Sequence, residues 1–174
     1  MSLTGPWARG LAAALCVIAA VTLQVTVLAR LPLPGATPDL VLVLVVAWAL
    51  RQGSLEGAVL GFGAGLALDI APPADGSVGL WAFVLAVIGY LAGLAADDAQ
   101  RSAVAPLVIV ALASLVALVL YAVLGVLTGD PRVSWSALAG QLFTQVLYTL
   151  VLAPFVLPAV QALLARLEPV AVRR

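Results

Sequence analysis

Two carboxylates and one polar helix face are the residues of this chain whose types and spacing offer chemistry. Asp39 and Asp69 stand at the ends of apolar stretches, and a carboxylate at membrane depth is costly and usually faces a cavity or a partner. Gln141, Thr144, Gln145, Tyr148 and Thr149 fall at i, i+3, i+4, i+7 and i+8, which is one face of a helix. Thr22, Gln24 and Thr26 lie in the first apolar segment, with Gln24 pointing away from the other two. A pair of aspartates is the equipment of an aspartyl protease, but no spacing sets Asp39 beside Asp69. The chain has no histidine, so a Ser-His-Asp set is excluded. Its one cysteine, Cys16, sits inside an apolar run and reads as a small buried hydrophobe. That leaves no disulfide framework and no cysteine or histidine metal site. No phosphate-binding loop is present either. The expectation is a protein without enzymatic activity, cofactor or metal.

The elements that must position these groups are apolar helices. Of the 174 residues, 64% are hydrophobic and 9% charged, with mean hydropathy +1.21. Soluble domains carry roughly a quarter charged residues, so the chain reads as an all-α, polytopic inner-membrane protein. Zero net charge argues against a nucleic-acid partner, because no basic patch exists to release counterions. Six apolar segments predict one transmembrane domain with spans at about 10–29, 38–51, 55–71, 77–96, 103–127 and 137–164. The first is longer than the core of a cleaved signal peptide and reads as a retained span. The second opens on Thr37-Pro38-Asp39: a candidate cap, a proline at the first helical position and a carboxylate in the first turn. Segments two and three are short, and two readings stand for them. They cross a locally thinned bilayer, which their capped ends favour, or they form a re-entrant hairpin. Pro154 and Pro158 predict a kink in the last segment.

Six spans place both ends of the chain on one side. That side holds Arg9, Arg51, Arg101, Arg166, Arg173 and Arg174, against Arg30 and Arg132 on the other. Arginine excess marks the cytoplasm, so both termini are expected there, with outward loops near 31–37, 72–77 and 128–136. Trp7 and Trp48 then fall near the inner interface, Trp81 and Trp135 near the outer one. Both aspartates and the polar face come to lie in the outer half. A helix N-terminus accounts for Asp39. Asp69 lies in a last turn, where the helix dipole opposes its charge, and either interfacial solvation or a functional role accounts for it. The polar face of segment six serves either inter-helix hydrogen bonds or an outward-opening cleft between segments one, three and six. In the second reading Asp39, Asp69, Gln141, Gln145 and Tyr148 touch a partner or ligand.

Gly53, Gly57, Gly61 and Gly65 recur every four residues, and Asp69 stands one step further along the stripe. The next segment carries Gly89 and Gly93, preceded by Ala82 and Ala86. In lipid a line of small residues lets two backbones approach closely. Gly57, Gly61, Gly65, Gly89 and Gly93 are therefore expected to pack segment three on segment four, with the other helices as walls around that hairpin.

The same stretch carries a resemblance. Pro38-Asp39-Leu40, Arg51 and Gly53 before Glu56-Gly57, Gly61, Gly65-Leu66, Asp69, Gly79-Leu80 and Gly89-Tyr90-Leu91-Ala92-Gly93 together resemble the bacterial rod shape-determining protein MreD family. The ordered set is more specific than any one motif, and the last two spans match by topology. The resemblance implies a non-enzymatic scaffold subunit of the cell-elongation machinery in the inner membrane, concerned with regulation of cell shape. It implies an MreC-like bitopic partner, a RodA-type glycosyltransferase and a class B penicillin-binding protein of peptidoglycan synthesis, and an indirect link to the MreB cytoskeleton. The family is also similar in fold to the S-components of energy-coupling-factor vitamin transporters. That likeness supplies the alternative, a six-helix small-molecule binder or carrier.

Overall fold

Each long helix of the computed structural model grows from one apolar run and stops where a glycine, a proline or a polar cap interrupts it. The structure describes residues 6–31, 36–72, 78–102, 104–129 and 135–167. α1 (Pro6–Thr26) ends in a 3-10 turn over Leu28–Arg30, and α2 (Leu40–Gln52), α3 (Ser54–Ile70) and α4 (Leu80–Leu94) follow. A short α5 (Ala96–Ala99) leads to α6 (Ala105–Thr128) and α7 (Trp135–Leu167). Each of the six apolar segments coincides with one long helix; α5, a polar turn of Asp97 and Asp98, is an addition. Among the described residues, three stretches are long and apolar enough to cross a bilayer by length and composition: Trp7–Arg30, Ala105–Thr128 and Phe143–Leu167.

α2 is the centre of the molecule. Every residue from Leu40 to Leu50 is buried, and the helix touches α1, α3, α4, α5, α6 and α7. A helix that is apolar all round is one with no solvent-facing side, and here protein rather than lipid surrounds it. Its 13 residues rise only about 20 Å, short of the ~30 Å hydrocarbon core. The thickness-matching argument applies to helices that face lipid, so it falls on the enclosing helices and not on α2. The expectation of walls around the glycine hairpin thus shifts by one element: the walls enclose α2, and the hairpin is one of them.

A single residue separates α2 from α3. Gly53 has φ +92°, a conformation that costs little only without a Cβ. Its N–H donates to the Ala49 carbonyl at 2.8 Å, and its own carbonyl accepts from Gly57 N–H at 2.9 Å. Gly53 therefore ends one helix and starts the next, and a Cβ there would meet open space. The rest of the ladder is contact. A Cβ on Gly57 would lie 2.5 Å from both the Ala49 Cβ and the Gly89 carbonyl oxygen. On Gly61 it would strike the Leu85 carbonyl, on Gly65 the Trp81 carbonyl, and on Gly93 the backbone of Ser54. Each four-residue step up α3 meets a four-residue step down α4, so the two helices lie antiparallel, backbone on backbone.

Neighbouring contacts fix the remaining directions. Arg9 of α1 donates to Gln52 at the end of α2 (3.3 Å), and Gln24 reaches the start of α2. Trp81 at the start of α4 stacks on Tyr121 late in α6, ring centroids 4.7 Å apart. Thr149 of α7 lies at the start of α2, while Leu157 and Gln161 flank Leu50. So α2, α4 and α7 run one way and α1, α3 and α6 the other. The beginning of α1 and the end of α7 lie at the same end of the bundle. α7 stays helical through Pro154 and Pro158, although proline leaves the Leu150 and Pro154 carbonyls without their i+4 donors.

Candidate functional site

The first N–H groups of any helix lack partners within it, and at membrane depth no water supplies them. In this protein the polar side chains of the end opposite Arg9 fill that need at two places.

The first is the start of α2. Asp39 is the N-cap, its Oδ1 accepting the Leu42 N–H at 2.9 Å. Gln24 of α1 accepts the Val41 N–H through Oε1 at 2.9 Å. Thr149 of α7 accepts the Asp39 backbone N–H at 3.0 Å through Oγ1. Asp39 is 3% exposed and Thr149 fully buried. One helix terminus thus ties three helices together. The carboxylate also lies at the positive end of the α2 dipole, where negative charge is stabilised.

The second place is the start of α4. Asp69, half-buried in the last turn of α3, accepts three backbone N–H groups across the hairpin. Oδ2 takes those of Gly79 (2.8 Å) and Ala82 (3.2 Å), and Oδ1 that of Trp81 (3.3 Å). The conflict with its own helix dipole is resolved by a neighbouring one: Asp69 is at the end of α3 but at the beginning of α4. An anion at a helix N-terminus is favourable, and this one caps from the preceding helix.

The expected outer contact set therefore divides. Asp39 and Asp69 serve different helix termini, and among the described residues no hydrogen bond joins them. Gln145 and Tyr148 are half-buried on α7, one turn before and one residue before Thr149. The side chain of Gln141, with Arg132, Arg173 and Arg174, lies outside the described residues. On α1, Thr22 and Thr26 are exposed, and Thr26 bonds back to the Thr22 carbonyl. Gln24, the odd one out by direction, is the residue that reaches the core. The signal was present in its spacing: Val17, Ala20, Val21 and Leu28 are the buried face of α1, and Gln24 continues that stripe. Every buried side-chain polar atom among the described residues has a partner.

Helices of this length and polarity, with carboxylates closed onto helix ends, define a multi-pass membrane protein whose polar groups hold its own helices. The family model of the rod shape-determining protein MreD matches residues 6–166, nearly the whole chain, and the protein belongs to that family. No curated protein and no solved structure matches it. Membership makes it a non-enzymatic membrane component of the machinery that determines rod shape and drives cell elongation.

Proposed function

We propose that the chain is a rigid scaffold of the elongation machinery, with both termini in the cytoplasm. It holds an MreC-like bitopic protein, and through it or directly a RodA-type glycosyltransferase and a class B penicillin-binding protein; MreB is linked indirectly. One observation carries this reading. Asp39 and Asp69, the two acids at this end among the described residues, are engaged by backbone donors of α2 and α4. A carrier of the S-component kind needs polar groups turned toward its ligand, whereas these two turn inward to hold helices. Gln141, Gln145 and Tyr148 are then the partner contacts of the outer half, and Asp39 and Asp69 support them by fixing the helices around. The glycines of α3 and α4 make the platform stiff, since backbone against backbone leaves no side chain to rearrange.

The test is co-purification from cells expressing the chain with an MreC-like partner, beside solute uptake by reconstituted vesicles. Gln145→Ala with Tyr148→Phe should lower partner recovery several-fold, with no uptake in either protein. Solute accumulation that the double variant abolishes, with partner recovery intact, would overturn the scaffold in favour of a carrier.

A further inference from the structure

At the Arg9 end of the bundle, α1, α2 and α3 enclose a groove of about 510 Å³, within the range of about 300–1,000 Å³ typical of ligand sites. Its walls are made by small and apolar residues, among them Ala14, Ile18 and Gly63, and its mouth by Arg9, Gln52 and Glu56. Along α1 the lining runs from Arg9 to Ile18, a rise of about 13 Å at 1.5 Å per residue. That is close to the ~15 Å of hydrocarbon in one leaflet, half of a ~30 Å core. The groove opens sideways: Ala14, Ile18 and Gly63 are exposed on the bundle surface, and a Cβ on Gly63 would meet nothing within 4 Å. Its shape is therefore that of one lipid chain of one leaflet, with polar groups only at the interface end.

We propose that this groove binds a single phosphatidylethanolamine of the adjacent leaflet, its phosphate on Arg9, its ammonium on Glu56 and one acyl chain between α1 and α3. An acyl chain gains little by leaving lipid for an apolar groove, because lipid tails are as apolar as the protein wall. Selectivity must then come from the mouth, where one cation and one anion stand together. Arg9 is held over the mouth by its 3.3 Å bond to the Gln52 Oε1, and a guanidinium has further N–H donors for a phosphate. Glu56, exposed in the first turn of α3, faces the same space as an acceptor for an ammonium. Phosphatidylglycerol offers no cation to Glu56. Phosphatidylcholine offers a cation that cannot donate a hydrogen bond.

The experiment purifies the full chain from mixed micelles holding equal amounts of the three lipids and reads retained lipid by native mass spectrometry. Phosphatidylethanolamine should exceed each of the other two by about tenfold, equivalent to ~1.4 kcal/mol. Glu56→Gln should bring it level with phosphatidylglycerol, and Arg9→Gln should lower retention of all three. Gly63→Leu should fill the groove and reduce retention to background while melting no earlier than the parent does. Ala14→Leu fills it from the opposite wall should Gly63→Leu fail to fold. Equal retention of the three lipids by the parent, or undiminished retention when the groove is filled, overturns the proposal. So does a transmembrane polypeptide that co-purifies with the parent and is displaced by Gly63→Leu while the lipid pattern stays unchanged.

Discussion

The same substitution placed twice on α3 should have opposite signs. At Gly57 a new Cβ would stand 2.5 Å from the Ala49 Cβ and 2.5 Å from the Gly89 carbonyl oxygen. Carbon contacts are comfortable at roughly 3.5–4.0 Å, so α3 would have to withdraw by about 1 Å from two helices at once. Neither opponent can rotate away, because one is a methyl fixed to the buried wall of α2 and the other is backbone. Overpacking of this kind costs about 1–3 kcal/mol, and the rigid opponents put Gly57→Ala near the upper figure. Alanine returns roughly 0.8–1.0 kcal/mol through helix propensity, leaving a net loss of about 2 kcal/mol. At Gly63 nothing lies within 4 Å of the new methyl, so only the propensity gain of about 1 kcal/mol remains. Reversible unfolding in bicelles, followed by circular dichroism against added denaturing detergent, measures both. Gly57→Ala should unfold earlier than the parent and Gly63→Ala later. Shifts of the same sign would refute the packing argument, since the two glycines share a helix and differ chiefly in what faces them.

Asp69→Ala removes the acceptor of three N–H groups at the start of α4 and should cost about 2 kcal/mol; Asp69→Asn, which keeps one carbonyl oxygen, should lose about half as much in the same assay. Gln24→Leu strands the buried Val41 N–H and Thr149→Val strands that of Asp39, each costing about 1–3 kcal/mol. Combined, they should depart from additivity, because both act on one helix terminus; strict additivity in a double-mutant cycle would mean two independent bonds. For orientation, Gln100→Cys and Thr128→Cys are exposed positions at opposite ends of the bundle. In a Cys16→Ala background an impermeant thiol reagent should reach Thr128→Cys in intact cells and Gln100→Cys only after permeabilisation, and the reverse pattern would invert the topology.

How much of this was legible in the sequence depended on whether the deciding partner was near in the chain. A helix start was readable from Thr37-Pro38-Asp39, but the cap falls two residues later than the expected Thr37: α2 begins at Leu40, and Asp39, expected in the first turn, is itself the cap, its donor Leu42 only three residues on. The spacing of Gly57, Gly61 and Gly65 likewise announced a close approach, and the mate on α4 follows directly after one turn. Asp69 was not readable. Its donors lie ten to thirteen residues ahead and come within reach only when the hairpin closes, so the local dipole argument used the wrong helix. The central place of α2 was hidden for a different reason. In water, an all-apolar helix announces burial; in a bilayer, lipid and protein accept the same side chains, and hydropathy no longer separates them. Shortness was the available clue, since 13 residues are too few for comfort against lipid. Gly53 fits both the spacing of the ladder and the capped end of segment two, and its positive φ assigns it to the junction.

The enclosure of α2 has a consequence for biogenesis. The ribosome delivers this helix well before α7, so α2 leaves the translocon long before all its neighbours exist. Until α7 arrives, the Asp39 N–H has no Thr149 to accept it, and the side of α2 that α7 covers is bare. The step that closes this side of α2 is thus carried by α7. A polypeptide cut short before Trp135 would leave its innermost helix open to the bilayer, with an unpaired donor on that side: the kind of surface by which quality-control proteases distinguish an unfinished membrane protein from a finished one.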